Sequence, residues 1–244
     1  MASQIIIGIP GLWEARSGIV HSIAKTSDAK EGSGFFFAGT VLLEIATQIG
    51  YTLEVYEPDP GLENAFEIAG QGSIAQSDLE LISQHTFTLY VTKDDPSLEA
   101  AKGMLRAGRA LLKAGGIAVK VESAGIAHSA QQWLQISDST DPFDFYRAYV
   151  TLVRGETTYY SCGMQNFGLA DSSIPIRIDS ATAATLLNQF NIYQLAEQPS
   201  LGNGHTFSVS ATSPRFRLKK EKCRWYEVDN PLHNSFGCWH LEPI

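Results

Sequence analysis

The side chains of this chain that could do chemistry gather most densely at 115–129, Gly-Gly-Ile-Ala-Val-Lys-Val-Glu-Ser-Ala-Gly-Ile-Ala-His-Ser. The segment reads as strand into loop into helix, and polar groups at the end of a strand often face a functional crevice. The two-residue period of a strand puts Lys120 and Glu122 on one face. His128 could act as a general base oriented by Glu122, with Ser123 or Ser129 supplying a hydroxyl, as a hydrolase-like small-molecule enzyme would need. The plainer reading is that one of the serines caps the helix carrying Trp133 and that His128 bonds to backbone. No third positioned group completes a catalytic set, so Glu122 and His128 stand only as weak catalytic candidates. Lys120, Glu122, Ser123, His128 and Ser129 are carried forward as candidate binding residues.

Other reactive residue types are more scattered. Cys162 ends a strand, but nothing in the sequence supplies the cationic neighbour that would activate its thiol. Cys223, His233, Cys238 and His240 collect near the C-terminus without the Cys-x2-Cys or His-x3-His spacing of a chelating turn. The interleaved Trp225, Tyr226 and Trp239 favour packing there, so no metal site is expected. Ile9-Pro10-Gly11 stands between a strand and a helix, where phosphate loops sit, yet it matches neither nucleotide-binding fingerprint. A tight turn is the expected role of this glycine, and no cofactor is implied.

Residues 215–224 hold six basic groups, including Arg215, Arg217 and Lys219, against Glu221 alone, in a chain whose net charge is −8. The alternation of charged and apolar residues is that of a half-exposed strand, where charges guard an edge against pairing. Docking of an acidic partner or a phosphate-bearing ligand is the sharper alternative. The overall acidity argues against nucleic acid as the main target.

These residues need a frame. Gln4 to Ile9 reads as an apolar strand, followed by a short helix with Leu12, Ala15, Ile19 and Ile23 near helical spacing. Phe35 to Tyr56 reads as a β-hairpin around Gly50, with a helix over Val41 to Ala46 as the alternative. Asp59-Pro60 and Asp95-Pro96 each offer an N-cap with proline at the first helical position. Leu62, Ala65, Phe66 and Ala69 line the first of these helices. Leu98, Ala101, Leu105 and Leu112 line the second, which stops at Gly115-Gly116. A short helix precedes a strand over Thr86 to Thr92, and Ile117 to Glu122 supplies another. Ala148 to Val153 and Thr157 to Cys162 flank a hairpin turn at Arg154-Gly155-Glu156. Asp179 or Ser180 caps a helix ended by Pro199, and three strands follow over Thr206 to Ala211, Phe216 to Val228 and Gly237 to Leu241. The sum is an α+β fold with a mixed, largely antiparallel sheet and helices packed on it. One domain over 1–244 is expected, with an internal boundary near 138–143 as the alternative.

Length and composition suit a buried core: 244 residues, 44% hydrophobic and 18% charged. No apolar run is long enough to cross a bilayer, and the N-terminus has no basic, long-apolar leader pattern. Three cysteines without framework spacing fit a reducing compartment, so a cytoplasmic protein with no membrane association is expected.

Two segments carry a resemblance. The 115–129 stretch, followed by Tyr159-Tyr-Ser-Cys-Gly163-Met164-Gln-Asn-Phe167-Gly168-Leu-Ala-Asp171, resembles a bacterial family known only as domain of unknown function 4261. The likeness covers the middle and C-terminal parts. It implies an α+β bacterial cytoplasmic protein and supplies no activity, substrate or catalytic residue. Physically, Gly163 and Gly168 read as a bend through which a strand leaves its sheet, anchored by Met164 and Phe167. A non-enzymatic binding protein with a protein partner, of which an immunity protein is one version, is the leading expectation. The Glu122/His128 enzyme is the alternative.

Overall fold

The computed structural model describes residues 3–26 and 34–244; residues 1–2, which open the segment read for a leader, lie outside it. Strict alternation over β1 (Gln4–Gly11) buries Ile5, Ile7 and Ile9 completely on one face. Pro10 and Gly11 do not turn. They continue the strand, pairing with Thr88 and Phe87, and the indole of Trp13 lies where a Gly11 side chain would stand. The first helix, α1 (Arg16–Thr26), therefore starts late and buries only Ile19 and Ile23.

The aromatic stretch forms three strands, β2 (Phe35–Ala38), β3 (Val41–Glu44) and β4 (Ile49–Tyr56), paired as an antiparallel meander. The expected single hairpin and the alternative helix are both corrected. Gly39 takes a left-handed φ of 63° at the first turn, so Val41 to Glu44 pairs back on Phe35 to Ala38. Helices α2 (Leu62–Gly70) and α3 (Gln76–Ser83) follow, then β5 (Phe87–Asp94) and α4 (Leu98–Lys113). The cap of α4 is Ser97, whose hydroxyl accepts from the Ala100 amide at 3.2 Å, and not Asp95. The α4 stripe packs on β1, and the chain returns as β6 (Ala118–Val121) and β7 (Ile126–Ser129). These seven strands form one sheet in the order β2-β3-β4-β5-β1-β6-β7.

Helices α5 (Ala130–Asp138) and α6 (Pro142–Tyr149) lead to the second half. The region of the alternative boundary, 138–143, is helical on both sides, with Asp141 capping α6 and Pro142 at its first position. Hairpin β8 (Thr151–Arg154) and β9 (Thr158–Cys162) forms as expected. A short 3-10 turn over Met164–Phe167 leads to β10 (Asp171–Pro175), then α7 (Ser180–Glu197), capped by Asp179. The last strands, β11 (Thr206–Phe207), β12 (Phe216–Glu221) and β13 (Cys238–Pro243), complete a sheet ordered β11-β12-β13-β10-β9-β8. The fold is α+β, with two mostly antiparallel sheets; β10 and β13 form a parallel pair. Ile174, Leu218 and Leu241 of the second sheet pack under Leu187 and Phe190 of α7. No helix among the described residues is long and apolar enough to cross a membrane.

Candidate functional site

The 115–129 segment is a β-hairpin whose register settles where its side chains go. Val119 pairs with His128 and Lys120 with Ala127. Paired residues share a sheet face and neighbours alternate, so His128 lies on the face opposite Lys120 and Glu122. The Glu122–His128 base and orienting pair is therefore not assembled. Lys120 pairs its ammonium with the Glu122 carboxylate across the strand pleat. Ser123 is fully buried, donating to Asn166 Oδ1 at 2.6 Å and accepting from the Ile6 amide at 3.3 Å. Ser129 is the N-cap of α5, in a reciprocal capping box with Gln132. His128 is buried against Trp133, and its Nε2 meets the Ala148 carbonyl at 3.0 Å. Burial pulls its pKa down to about 4, so the ring is neutral at pH 7.

Lys120 and Glu122, themselves only 17% and 19% exposed, belong to the face of the seven-stranded sheet opposite α4. Through the register that face also carries Gly8, Tyr90, Glu54, Tyr56, Thr52, Val41 and Phe36. Gly8 is forced by close approach, because a Cβ there would stand 2.9 Å from the Tyr90 ring and 3.1 Å from the Glu122 carboxylate. Burial, then the charge of Glu122, pushes the Tyr90 hydroxyl up to about 12. Helices α2 and α3 cover only the end of the face at Ala118 and Ala127. Phe36, Val41 and Tyr56 are left 54%, 49% and 51% exposed. Among the described residues Glu54 takes only the Tyr56 hydroxyl, at 3.2 Å, and Asp94 only the Gln4 side-chain amide, at 2.7 Å. Neither carboxylate has a cation within ion-pair distance among the described residues.

The glycine-framed motif has a chemical centre that sequence reasoning passed over, Asp171. Its carboxylate is fully buried and accepts from Ser161 Oγ at 3.2 Å, the Met164 amide at 3.1 Å and Asn234 Nδ2 at 2.8 Å. No cation lies within ion-pair distance of it among the described residues, and burial pushes its pKa up to about 7 despite those donors. Gly163, at φ 123°, has no room for a side chain: a Cβ would lie 1.9 Å from the Tyr149 carbonyl oxygen. The signal for Asp171 was present as the acid closing the glycine pattern, but burial without a counter-charge is a tertiary fact.

The remaining candidates separate. Burial pushes the thiols of Cys162 and Cys238 well up, against nucleophilic use. His233 bonds the Tyr226 carbonyl at 2.8 Å, while His240 meets Ser173 at 3.0 Å. No group of three His, Cys, Asp or Glu among the described residues could hold a metal ion. The basic run is not an edge strand: β12 is paired with β13 along its length and is flanked on its other side by β11 and residues 203–205. Arg217 and Lys219 face solvent, Lys219 pairs with Glu221 at 3.0 Å, and Arg215 precedes the strand, exposed. Lys220 instead covers the Trp239 ring at 4.5 Å.

No protein-family model, no curated protein and no solved structure matches the chain.

Proposed function

We infer that this chain is a non-enzymatic binding protein that docks a protein partner of basic surface on the exposed β2–β4 part of the sheet face opposite α4. The observation that carries this reading is the pairing on that face of exposed Phe36, Val41 and Tyr56 with the unneutralised acids Glu54 and Asp94. An apolar centre with charged groups around it is the ordinary anatomy of a protein interface. Acids without local counter-ions favour a partner carrying Lys or Arg, in a chain of net charge −8. Neutralisation of a basic effector, an immunity-type role, is the concrete version. Membership of the uncharacterised bacterial family and a cytoplasmic location belong to the same proposal. The hydrolase-like alternative loses support because Glu122 and His128 stand on opposite sheet faces.

The test is capture of partners from an extract of the encoding organism by the immobilised wild type, with variants run beside it. A basic protein released by salt, and lost with Glu54→Lys or Tyr56→Asp but kept by Lys219→Glu, is the expected result. A captured protein indifferent to the two sheet-face variants, or no specific capture at all, overturns the reading.

A further inference from the structure

A second site lies away from that face, in a cleft of about 600 Å³ where the edge strands of the two sheets, β7 and β8, come together with α5, α6 and α7. Several of its polar side chains are held in fixed roles by the fold. The Ala148 carbonyl can only accept, so His128 carries its proton on Nε2 and leaves a lone pair on Nδ1. That nitrogen has no hydrogen-bond partner among the described residues. His128 is one of the residues that line the cleft. Asn188 accepts the Tyr146 hydroxyl on Oδ1 at 2.9 Å, which leaves its amide nitrogen as a donor. Gln132 accepts the Ser129 amide on Oε1 at 3.0 Å, with the same consequence. Arg147 stacks on Phe143 at 5.5 Å and has no carboxylate within ion-pair distance among the described residues. The one carboxylate of the lining, Asp144, is occupied by the Ser139 hydroxyl at 2.8 Å.

Among its lining groups the cleft thus brings together an unpaired cation at Arg147, the oriented amide donors of Asn188 and Gln132 and a neutral buried acceptor at His128. Clefts between packed units with a few convergent polar groups are where small ligands bind. We propose that this cleft binds a small organic anion bearing a hydroxyl group. Arg147 and the amides of Asn188 and Gln132 take the anionic oxygens, and His128 Nδ1 accepts the ligand hydroxyl proton. The requirement for a hydroxyl separates this ligand from a simple anion, which would leave His128 without a partner.

Titration calorimetry with glycerate, glycerol 3-phosphate, acetate and glycerol as probes tests it, with the imidazole nitrogen resonances of His128 followed by NMR. The two hydroxylated anions distinguish a carboxylate from a phosphate ligand. At least one is expected to bind saturably, with a Kd on the order of 1 mM or tighter, and to move the Nδ1 resonance. Acetate and glycerol should bind at least about tenfold more weakly. Arg147→Gln, an exposed change, should cost roughly tenfold. Asn188→Asp keeps the acceptor for Tyr146 but puts a negative charge in the cleft, and should abolish binding; Lys219→Gln should change nothing. Failure of both hydroxylated anions to saturate, or binding indifferent to Arg147→Gln, overturns the proposal. The sheet-face partner is untouched by either outcome.

Discussion

Each sheet buries one carboxylate, and the two are held in opposite electrostatic states. Glu44 on β3 takes the Arg106 guanidinium of α4 in a two-pronged pair and also accepts from Thr47 at 2.8 Å and Tyr51 at 3.2 Å. Burial alone would raise its pKa, but the hydrogen bonds and charge of Arg106 leave it below the ordinary value. Asp171 on β10 also takes donors from three residues, all neutral, and its pKa is raised to about 7. The number of hydrogen bonds does not decide the charge of a buried acid; a full counter-charge does. The first sheet is pinned to its helix by an ion pair, whereas the second holds a proton-binding group inside a glycine turn.

The sharpest way to break the Asp171 arrangement is at the glycine that permits it. Gly163→Ala forces a side chain onto the Tyr149 carbonyl oxygen at a left-handed φ. A loss of about 4 kcal/mol in urea unfolding is expected, at the upper end for one substitution. A loss below about 1 kcal/mol would mean the turn yields and does not define the Asp171 site.

Arg106→Met keeps an apolar stem and removes the charge, turning Glu44 into a second Asp171. Glu44 is buried but Arg106 is 44% exposed, so stranding the carboxylate should cost about 2 kcal/mol at pH 7. The cost should shrink toward pH 5, because the stranded Glu44 can then take up a proton. In the wild type the folded pKa of Glu44 is lowered, so its contribution is present above the unfolded value of 4.5 and is lost as pH falls through the folded value. A cost that does not vary with pH would show that Arg106 acts by packing alone.

Asp171→Asn reads the opposite sign. A folded pKa of about 7 against 3.8 unfolded means that the folded protein binds the extra proton between those values. Wild-type stability from this group is therefore full below pH 3.8, declines as pH rises, and is lost above 7. Relative to the wild type, the Asn variant should gain on the order of 2 kcal/mol between pH 5 and 8 in urea midpoints. Taking the difference removes His128, whose lowered pKa gives stability present above pH 6.5 and lost as pH falls through about 4. A flat difference would place a counter-charge near Asp171.

What the sequence could show follows the range of the forces involved. Strands β1, β8 and β9 and helices α2 and α7 are written in local periodicity, and they formed within a few residues of the expected spans, although α2 starts from Gly61 with no side-chain cap and not from the expected Asp59-Pro60. Pro10-Gly11 misled because its turn signal is local, while pairing with β5 and the Trp13 indole hold it extended. Ser97 displaced Asp95 as a cap because Asp95 takes a φ of 56°, which sequence does not display. In the site, Ser129 and the backbone-bonded His128 were legible as the plainer reading. The faces of Glu122 and His128 were not, since one hairpin register decides both.

Ser161→Ala gives the smallest effect and the finest test of the contrast. The hydroxyl donates to Asp171 Oδ1 at 3.2 Å and accepts from the Ser172 amide at 2.9 Å. Its loss strands that amide at every pH, a cost of about 1 kcal/mol. The bond to Asp171 is worth more when the carboxylate is charged, since a donor to an ionised acceptor stabilises the ionised form. The variant should therefore raise the Asp171 pKa further and destabilise the fold more at pH 8 than at pH 5. Applied to Glu44, the equivalent change, Thr47→Ala, should show no such dependence across that range, because Arg106 keeps that carboxylate charged throughout. Equal pH profiles for the two variants would mean that neutral donors and a counter-charge hold a buried acid in the same state, and the distinction between the two sheets would fall.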